Sequence, residues 1–389
     1  MNRLKPTKPL SFLLVLAIVF IPGIAVTAAL AANQLGYCVN ALLPGGDDLN
    51  AKPYLLQVGS DSAQVRARST VAREANITLT AEGQAQIVQT VDAAKIQTFD
   101  LTGLIPGTDY SYVVERAEST WEGTFRTPAG PDDTVRFDVL GSSGVSNDAQ
   151  HAIAAEMLAD APDFVLHTGD VVFPRGALCH YGLRYFGPYE DLLPYAAVAS
   201  TIGEVDLKTS GGGAFRQSFE PDPQNDGPFY RSFDYGPVHV IVLNSELYGR
   251  NDPTAIDQQR DWLVEDLAAS ANAPWTVVLL HRPPYSSTDG AANDEIRTDL
   301  GPVFSQNGVD LVFSGHARNY ERFQPDGGVT YVVTGGGGAD TQGFEPNRTS
   351  VAAADVHHFL SVEASPNSLI ARVIDEQGGT IDTFELSEP

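Results

Sequence analysis

Two patterns of apolar and polar positions divide this chain. Between about Tyr54 and Thr127, short runs of β-branched and aromatic residues alternate with polar ones, and turn residues separate them. The runs "LLQVGS", "AQVRAR", "ANITLTAEG", "AQIVQTV", "IQTFDLTGL", "DYSYVVER" and "WEGTFRTP" predict about seven strands of a small β-sandwich. "TPAGPDD" (Thr127 to Asp133) then reads as a linker. Beyond it, continuous apolar runs such as "VRFDVLG", "DFVLHTGDVVF", "GPVHVIVLNS", "WTVVLLH", "VDLVFSGH" and "VTYVVTGG" alternate with helical stretches. "DAQHAIAAEMLAD" (Asp148 to Asp160) predicts an amphipathic helix, and "DQQRDWLVEDLAAS" (Asp257 to Ser270) a second with Trp262, Leu263 and Leu267 on its buried face. Runs that are apolar throughout belong to strands covered on both faces, which places this half of the chain in the α/β or α+β class.

Several of these strands end in a polar residue and a loop, where layered sheets gather their ligands. Asp170 follows in "HTGDVVF", His281 in "LLHRPPY" and His316 in "SGHARNY". One carboxylate and two imidazoles suit zinc, iron or manganese. One histidine at a strand end is most often a hydrogen-bonded structural residue, but three such endings in order argue for a metal site. His167, before "TGD", reads as packed behind that turn. His357 and His358 read as strand packing or as a hydrogen bond near the site. "TGGGGAD" (Thr334 to Asp340) lacks the Lys and Ser/Thr of a nucleotide-binding loop and reads as a tight turn. Ser142 has no base evident beside it that would make it a nucleophile.

Composition narrows the setting. With 389 residues and 43% hydrophobic content, the chain can bury cores for two domains. Its net charge of −25 argues against a nucleic-acid partner. Arg3, Lys5 and Lys8, the apolar run Phe12 to Val26 broken by Pro22, and "ALA" (Ala29 to Ala31) predict a cleaved secretory signal over 1–31, with an uncleaved membrane anchor as the alternative. After cleavage no stable membrane span is expected, and a secreted or periplasmic location follows. Export permits a disulfide between the two cysteines, Cys38 and Cys179; two separate thiols fit the sequence equally well.

With these residues in view, the run from about Val135 onward resembles the calcineurin-like metallophosphoesterases, and within them the purple acid phosphatase branch. That family's motifs GDxG, GDxxY, GNH(D/E), VxxH and GHxH align with "GSSG" (Gly141 to Gly144), "GDVVF" (Gly169 to Phe173), "GEVD" (Gly203 to Asp206), "VLLH" (Val278 to His281) and "GHAR" (Gly315 to Arg318). "DLTGLIPGTDYSYVV" similarly resembles a fibronectin type III pattern, with Tyr110 as its corner tyrosine bonding back to the backbone. Together these readings predict a signal over 1–31, an N-terminal segment over 32–50, a fibronectin type III-like domain over 51–128, a linker over 129–134 and, from the resemblance, a metallophosphoesterase domain over 135–389. That last domain is expected to be two packed mixed sheets flanked by helices.

The resemblance also implies which side chains carry the chemistry, and here the sequence departs from the pattern. One family metal seat falls on Ser142, Asp170, Phe173 and Arg318; its unshared ligands are all replaced, and this seat is expected to be vacant. The other falls on Asp170, Glu204, His281 and His316, all able to ligate one divalent ion. Val205 stands where the family has a histidine that assists proton transfer. Arg318 either binds phosphate or pairs with Asp170 or Glu204. The sequence therefore predicts an exported phosphoesterase with an altered, mononuclear site, with Asp170 and Arg318 in catalytic roles and a phosphate ester as substrate. The alternative is an inactive descendant that binds a phosphorylated ligand or a surface partner.

Overall fold

The computed structural model describes residues 51–387 except 223, 225, 226, 251, 326 and 346–349. The expected signal segment and Cys38, one of the two cysteines, lie outside the described residues. No helix among the described residues is long and apolar enough to cross a membrane.

The N-terminal sheet has five strands: β1 (Ala51–Val58), β2 (Ser62–Thr80), β3 (Ile87–Thr102), β4 (Asp109–Arg116) and β5 (Ser119–Arg126). The seven short runs read from the sequence are therefore five strands, because two pairs of them are continuous. β2 pairs first with β1 and then, past register shifts between Arg68 and Ala75, with β4, while β3 follows it along both halves. Buried Gln97 holds that irregular stretch by donating to the carbonyls of Arg73 (2.7 Å) and Asp92 (3.2 Å). At the far corner the Tyr110 hydroxyl accepts the Ile105 N–H at 2.9 Å.

The rest of the chain builds two sheets. The six-stranded one has the order β18 (Thr380–Ser387), β17 (Ser368–Asp375), β16 (His358–Ser365), β6 (Val135–Leu140), β7 (Phe164–His167), β8 (Ala197–Ser200). The seven-stranded one runs β15 (Ser350–Ala354), β13 (Tyr320–Phe323), β14 (Thr330–Thr334), β12 (Leu311–Ser314), β11 (Trp275–Leu279), β10 (Val238–Val242), β9 (Arg231–Tyr235). β6, β7 and β8 are parallel, as are β10, β11, β12 and β14. Alternation along each strand sorts the cores: Val238, Val240 and Val242 face the other sheet beside Phe137, Leu166 and Leu279, while Ile241 and Val278 face helices. Those helices, Pro253–Ala269 and Asp294–Gln306, bury Leu263, Leu267, Ile296 and Phe304 against the seven-stranded sheet. The first starts four residues before the expected Asp257, because Asp252 caps it through the Ala255 N–H and Pro253 fills the first turn. Trp262 is only half-buried and packs on Tyr230, 4.8 Å between ring centres. The helix Asp148–Asp160 covers the six-stranded sheet with Ile153, Ala154 and Met157.

The N-terminal sheet is joined to this body by arginine. Arg66 is fully buried and donates to the carbonyls of Gln217 (3.2 Å), Glu220 (2.9 Å) and Pro221 (2.8 Å), around the C-terminal end of the helix Gly213–Phe219. Its Nε donates to Thr98. Arg68 donates to the Gln217 side chain at 3.0 Å, and the Tyr54 hydroxyl to the Ser218 carbonyl.

One buried group opposes the fold at neutral pH. Asp138 on β6 is fully buried, and neither carboxylate oxygen receives a hydrogen bond. Burial first, and then the charge of Asp160, raises its pKa well above the ordinary carboxylate range. An acid whose folded-state pKa is raised favours folding below its unfolded value, about 3.9. That contribution is lost as pH rises through the folded value. Asp138→Asn should therefore stabilise the protein at pH 7 by about 1–3 kcal/mol, with the gain shrinking toward pH 4. Urea midpoints at the two pH values test this; an unchanged or lower midpoint at pH 7 would contradict it.

Candidate active site

Loops after four parallel strands meet at one edge of the two sheets. Asp170 follows β7, Glu204 follows β8, His281 follows β11 and His316 follows β12. Among the seven described non-glycine residues with positive φ, three are Ser142 (52°), Asp170 (54°) and His316 (64°). Such backbone persists only where its surroundings hold it, and here it gathers at one place.

His281 is fully buried. Its Nδ1 donates to the Thr168 carbonyl at 2.7 Å, which leaves Nε2 to carry the lone pair. Nε2 lies 3.4 Å from Asp170 Oδ1 and is buried without a hydrogen-bond partner. Asp170 Oδ1 also accepts the Val205 N–H at 2.7 Å. The His316 ring stands edge-on to His281, 5.3 Å between centres. Burial, and then the charges of His281 and Arg282, push the His316 pKa down to about 4, so its imidazole is neutral at pH 7.

Glu204 lies on the same cavity, but its carboxylate is already engaged. Lys208 Nζ holds Oε1 at 2.9 Å and Arg282 Nη2 holds Oε2 at 3.3 Å. Lys208, ahead of the other contributors, lowers the Glu204 pKa. Arg282 is itself gripped by buried Glu246, with its Nε 2.9 Å from Oε1 and its Nη2 2.9 Å from Oε2. Among the described residues no three His, Cys, Asp or Glu side chains are placed to hold one ion. The donor chemistry nevertheless fits a divalent cation at Asp170, His281 and His316: a carboxylate, a neutral imidazole, and a buried Nε2 with no other use. Glu204 could join them only by leaving Lys208 and Arg282.

Sequence reasoning passed over Asp206. It is fully buried, and its two oxygens accept the N–H groups of Val171 and Gly203, each at 3.0 Å. It thus ties the Asp170 loop to the Glu204 loop. Burial, then the charge of Asp170, raises its pKa to about 7. The signal was the acid three residues into a helix that starts at Gly203, the spacing of half a capping box.

Of the departures from the motif pattern, Val205 supplies only its N–H, and Phe173 lines the cavity with its ring. Ser142 Oγ is buried without a partner. Among the described residues Arg318 forms no ion pair with Asp170 or Glu204, one of the two arrangements its sequence position allowed, and its Nε is buried and unbonded. His167 sits behind the turn: Nδ1 accepts the Gly169 N–H, Nε2 meets Ser143 Oγ at 3.0 Å, and burial drives its pKa to about 3. The ring nitrogens of His358 meet the Thr334 hydroxyl (3.1 Å) and the Val356 carbonyl (3.0 Å). The glycine run after β14 borders the site, with Gly337 and Ala339 donating to the carbonyls of Gly141 and Ser142.

Residues 143–335 match the family model for the calcineurin-like phosphoesterases. The chain carries a calcineurin-like phosphoesterase domain. It is 28% identical to a purple acid phosphatase of Glycine max over 250 residues, covering 59% of this chain and 53% of that protein. It is 27% identical to human acid phosphatase type 7 over 259 residues, covering 59% and 57%. The chain thus spans about half the length of the curated relatives it matches. A purple acid phosphatase from yellow lupin seeds shares the fold, with a TM-score of 0.76 at 20% identity over 87% of this chain and 75% of that one. The structure of PhoD does so with a TM-score of 0.67 at 14% identity, over 86% and 89%. The phosphoesterase domain has the two-sheet sandwich flanked by helices that its motifs led us to expect.

Proposed function

We propose that this protein hydrolyses phosphate esters at a site holding one divalent ion, zinc, iron or manganese. Asp170, His281 and His316 would hold that ion, and Glu204 would join them on release from Lys208. The ion supplies a Lewis acid and a water acidic enough to attack phosphorus at moderate pH. The chain's own residues do the rest. Thr168 fixes the His281 tautomer, the Val205 N–H orients Asp170, and Arg318, lining the same cavity, would hold the phosphate oxygens. Val205 can move no proton, so turnover lacks general acid help typically worth ~10²–10⁴ in rate. The observation that carries this reading is the buried, partnerless Nε2 of His281 facing Asp170.

Elemental analysis of protein loaded with zinc, iron or manganese should give close to one ion per chain, and His281→Ala should lose both the ion and turnover of aryl phosphates or phosphodiesters. A loaded wild-type protein without turnover would remove the hydrolase reading. It would favour the second one, a non-catalytic binder of a phosphorylated ligand, which the aliphatic Val205 and the unligating Phe173 support. The split pairing of β2, together with the Tyr110 corner bond, supports a fibronectin type III-like domain over 51–128. Export by the 1–31 signal belongs to the same proposal.

A further inference from the structure

Arg318 is an unusual arginine in this molecule. While Arg184 has the Phe173 carbonyl, several half-buried arginines at strand or helix ends have a carboxylate: Arg231 has Glu220, Arg282 has Glu246, Arg322 has Asp382. Arg318 has none among the described residues, although Asp170 and Glu204 line the same cavity of about 230 Å³. Glu204 is held by Lys208 and Arg282, and Asp170 Oδ1 accepts the Val205 N–H. A half-buried guanidinium with a buried, unbonded Nε and no carboxylate partner among the described residues is free to take an anion from outside.

Two further donors line the same cavity. The Gln342 Oε1 accepts the backbone N–H of Arg318 at 3.2 Å, while the Gln342 N–H donates to the Arg318 carbonyl at 2.8 Å. This reciprocal pair fixes Gln342 and leaves its amide NH2 as the group able to donate. Lys208 lines the cavity from the opposite loop. Its bond to Glu204 is between side chains 41% and 43% exposed, a kind of pair worth at most about 1 kcal/mol, so it exchanges readily. A planar fork, an amide and a mobile ammonium around a small polar cavity suit a tetrahedral oxyanion.

We propose that Arg318, Gln342 and Lys208 form an oxyanion site that binds inorganic phosphate without a metal. This rests on the reading above that the cavity receives phosphate, and adds that the recognition is built into the protein side chains. Asp289 on the rim opposes the anion and makes binding salt-dependent. The test is calorimetric titration of inorganic phosphate into the full chain stripped with a chelator. Single-site binding is expected, weakened at least tenfold in Arg318→Met and several-fold in Gln342→Leu and in Lys208→Met, with Arg318→Lys between wild type and Arg318→Met. If Arg318→Met does not fold, the Gln342 and Lys208 variants decide. No phosphate binding by the stripped protein, or binding indifferent to these substitutions, overturns the proposal. Metal-free binding, with no turnover once the protein is loaded with metal, would leave this site standing and remove the hydrolase reading; turnover by the loaded protein without metal-free binding would do the reverse.

Discussion

Arg66→Met should lower the stability of the whole chain by at least about 3 kcal/mol. The physical case is one of unmet acceptors. Arg66 is fully buried and is bonded only to neutral groups: three carbonyls at the C-terminal end of a helix and the Thr98 hydroxyl. The end of the helix Gly213–Phe219 carries the negative pole of its dipole, which favours a cation there. Methionine fills the space but donates nothing, so the half-buried carbonyls of Glu220 and Pro221 lose this donor while that of Gln217 keeps Arg68 at 3.3 Å, a cost of about 1–3 kcal/mol for each acceptor left unmet, less what water recovers. Denaturant midpoints at constant slope measure the loss. A drop under about 1 kcal/mol would mean that this contact between the N-terminal sheet and the phosphoesterase body is ornamental.

Gly203→Ala should reduce any hydrolytic activity by about 100-fold or more and destabilise the fold by about 1–3 kcal/mol. Gly203 has an ordinary φ of −108°, so backbone strain plays no part. A Cβ there would come closer than 3.0 Å to both the N and Oδ1 of Asp170 and would sit 3.0 Å from His281 Cε1. None of these can give way without displacing a proposed metal ligand. Gly301→Ala is the control. It lies in the helix Asp294–Gln306 with nothing within 4 Å of its would-be Cβ, and should be neutral or slightly stabilising. Equal activity in both variants would show that Asp170 and His281 are not the reactive centre.

Much of this was legible from residue order. Buried parallel strands are apolar throughout, so β7, β11 and β12 stood out, and the residue past each was the one to inspect. The Glu204–Lys208 bond was also within reach, since residues four apart on a helical turn meet. The grip of Arg282 on Glu204 was not, because 78 residues of chain separate them and only the packing of β8 near β11 brings them together. Nor could the sequence decide between a paired and an unpaired Arg318. That depended on which cations reached Glu204 first. The break in β2 was read as a gap between strands because its alternation slips there, whereas the buried amide of Gln97 carries the chain through.

The strand order also bears on how this protein is made. Asp170 and Glu204 hang from β7 and β8, whose sheet is completed on the other side of β6 by β16, β17 and β18. His281 and His316 hang from the other sheet, which takes β15 at its far edge. A chain emerging from the ribosome can therefore finish neither sheet until residues beyond Ser350 are free. Until then the acidic pair and the imidazole pair hang from two sheets that both still lack strands.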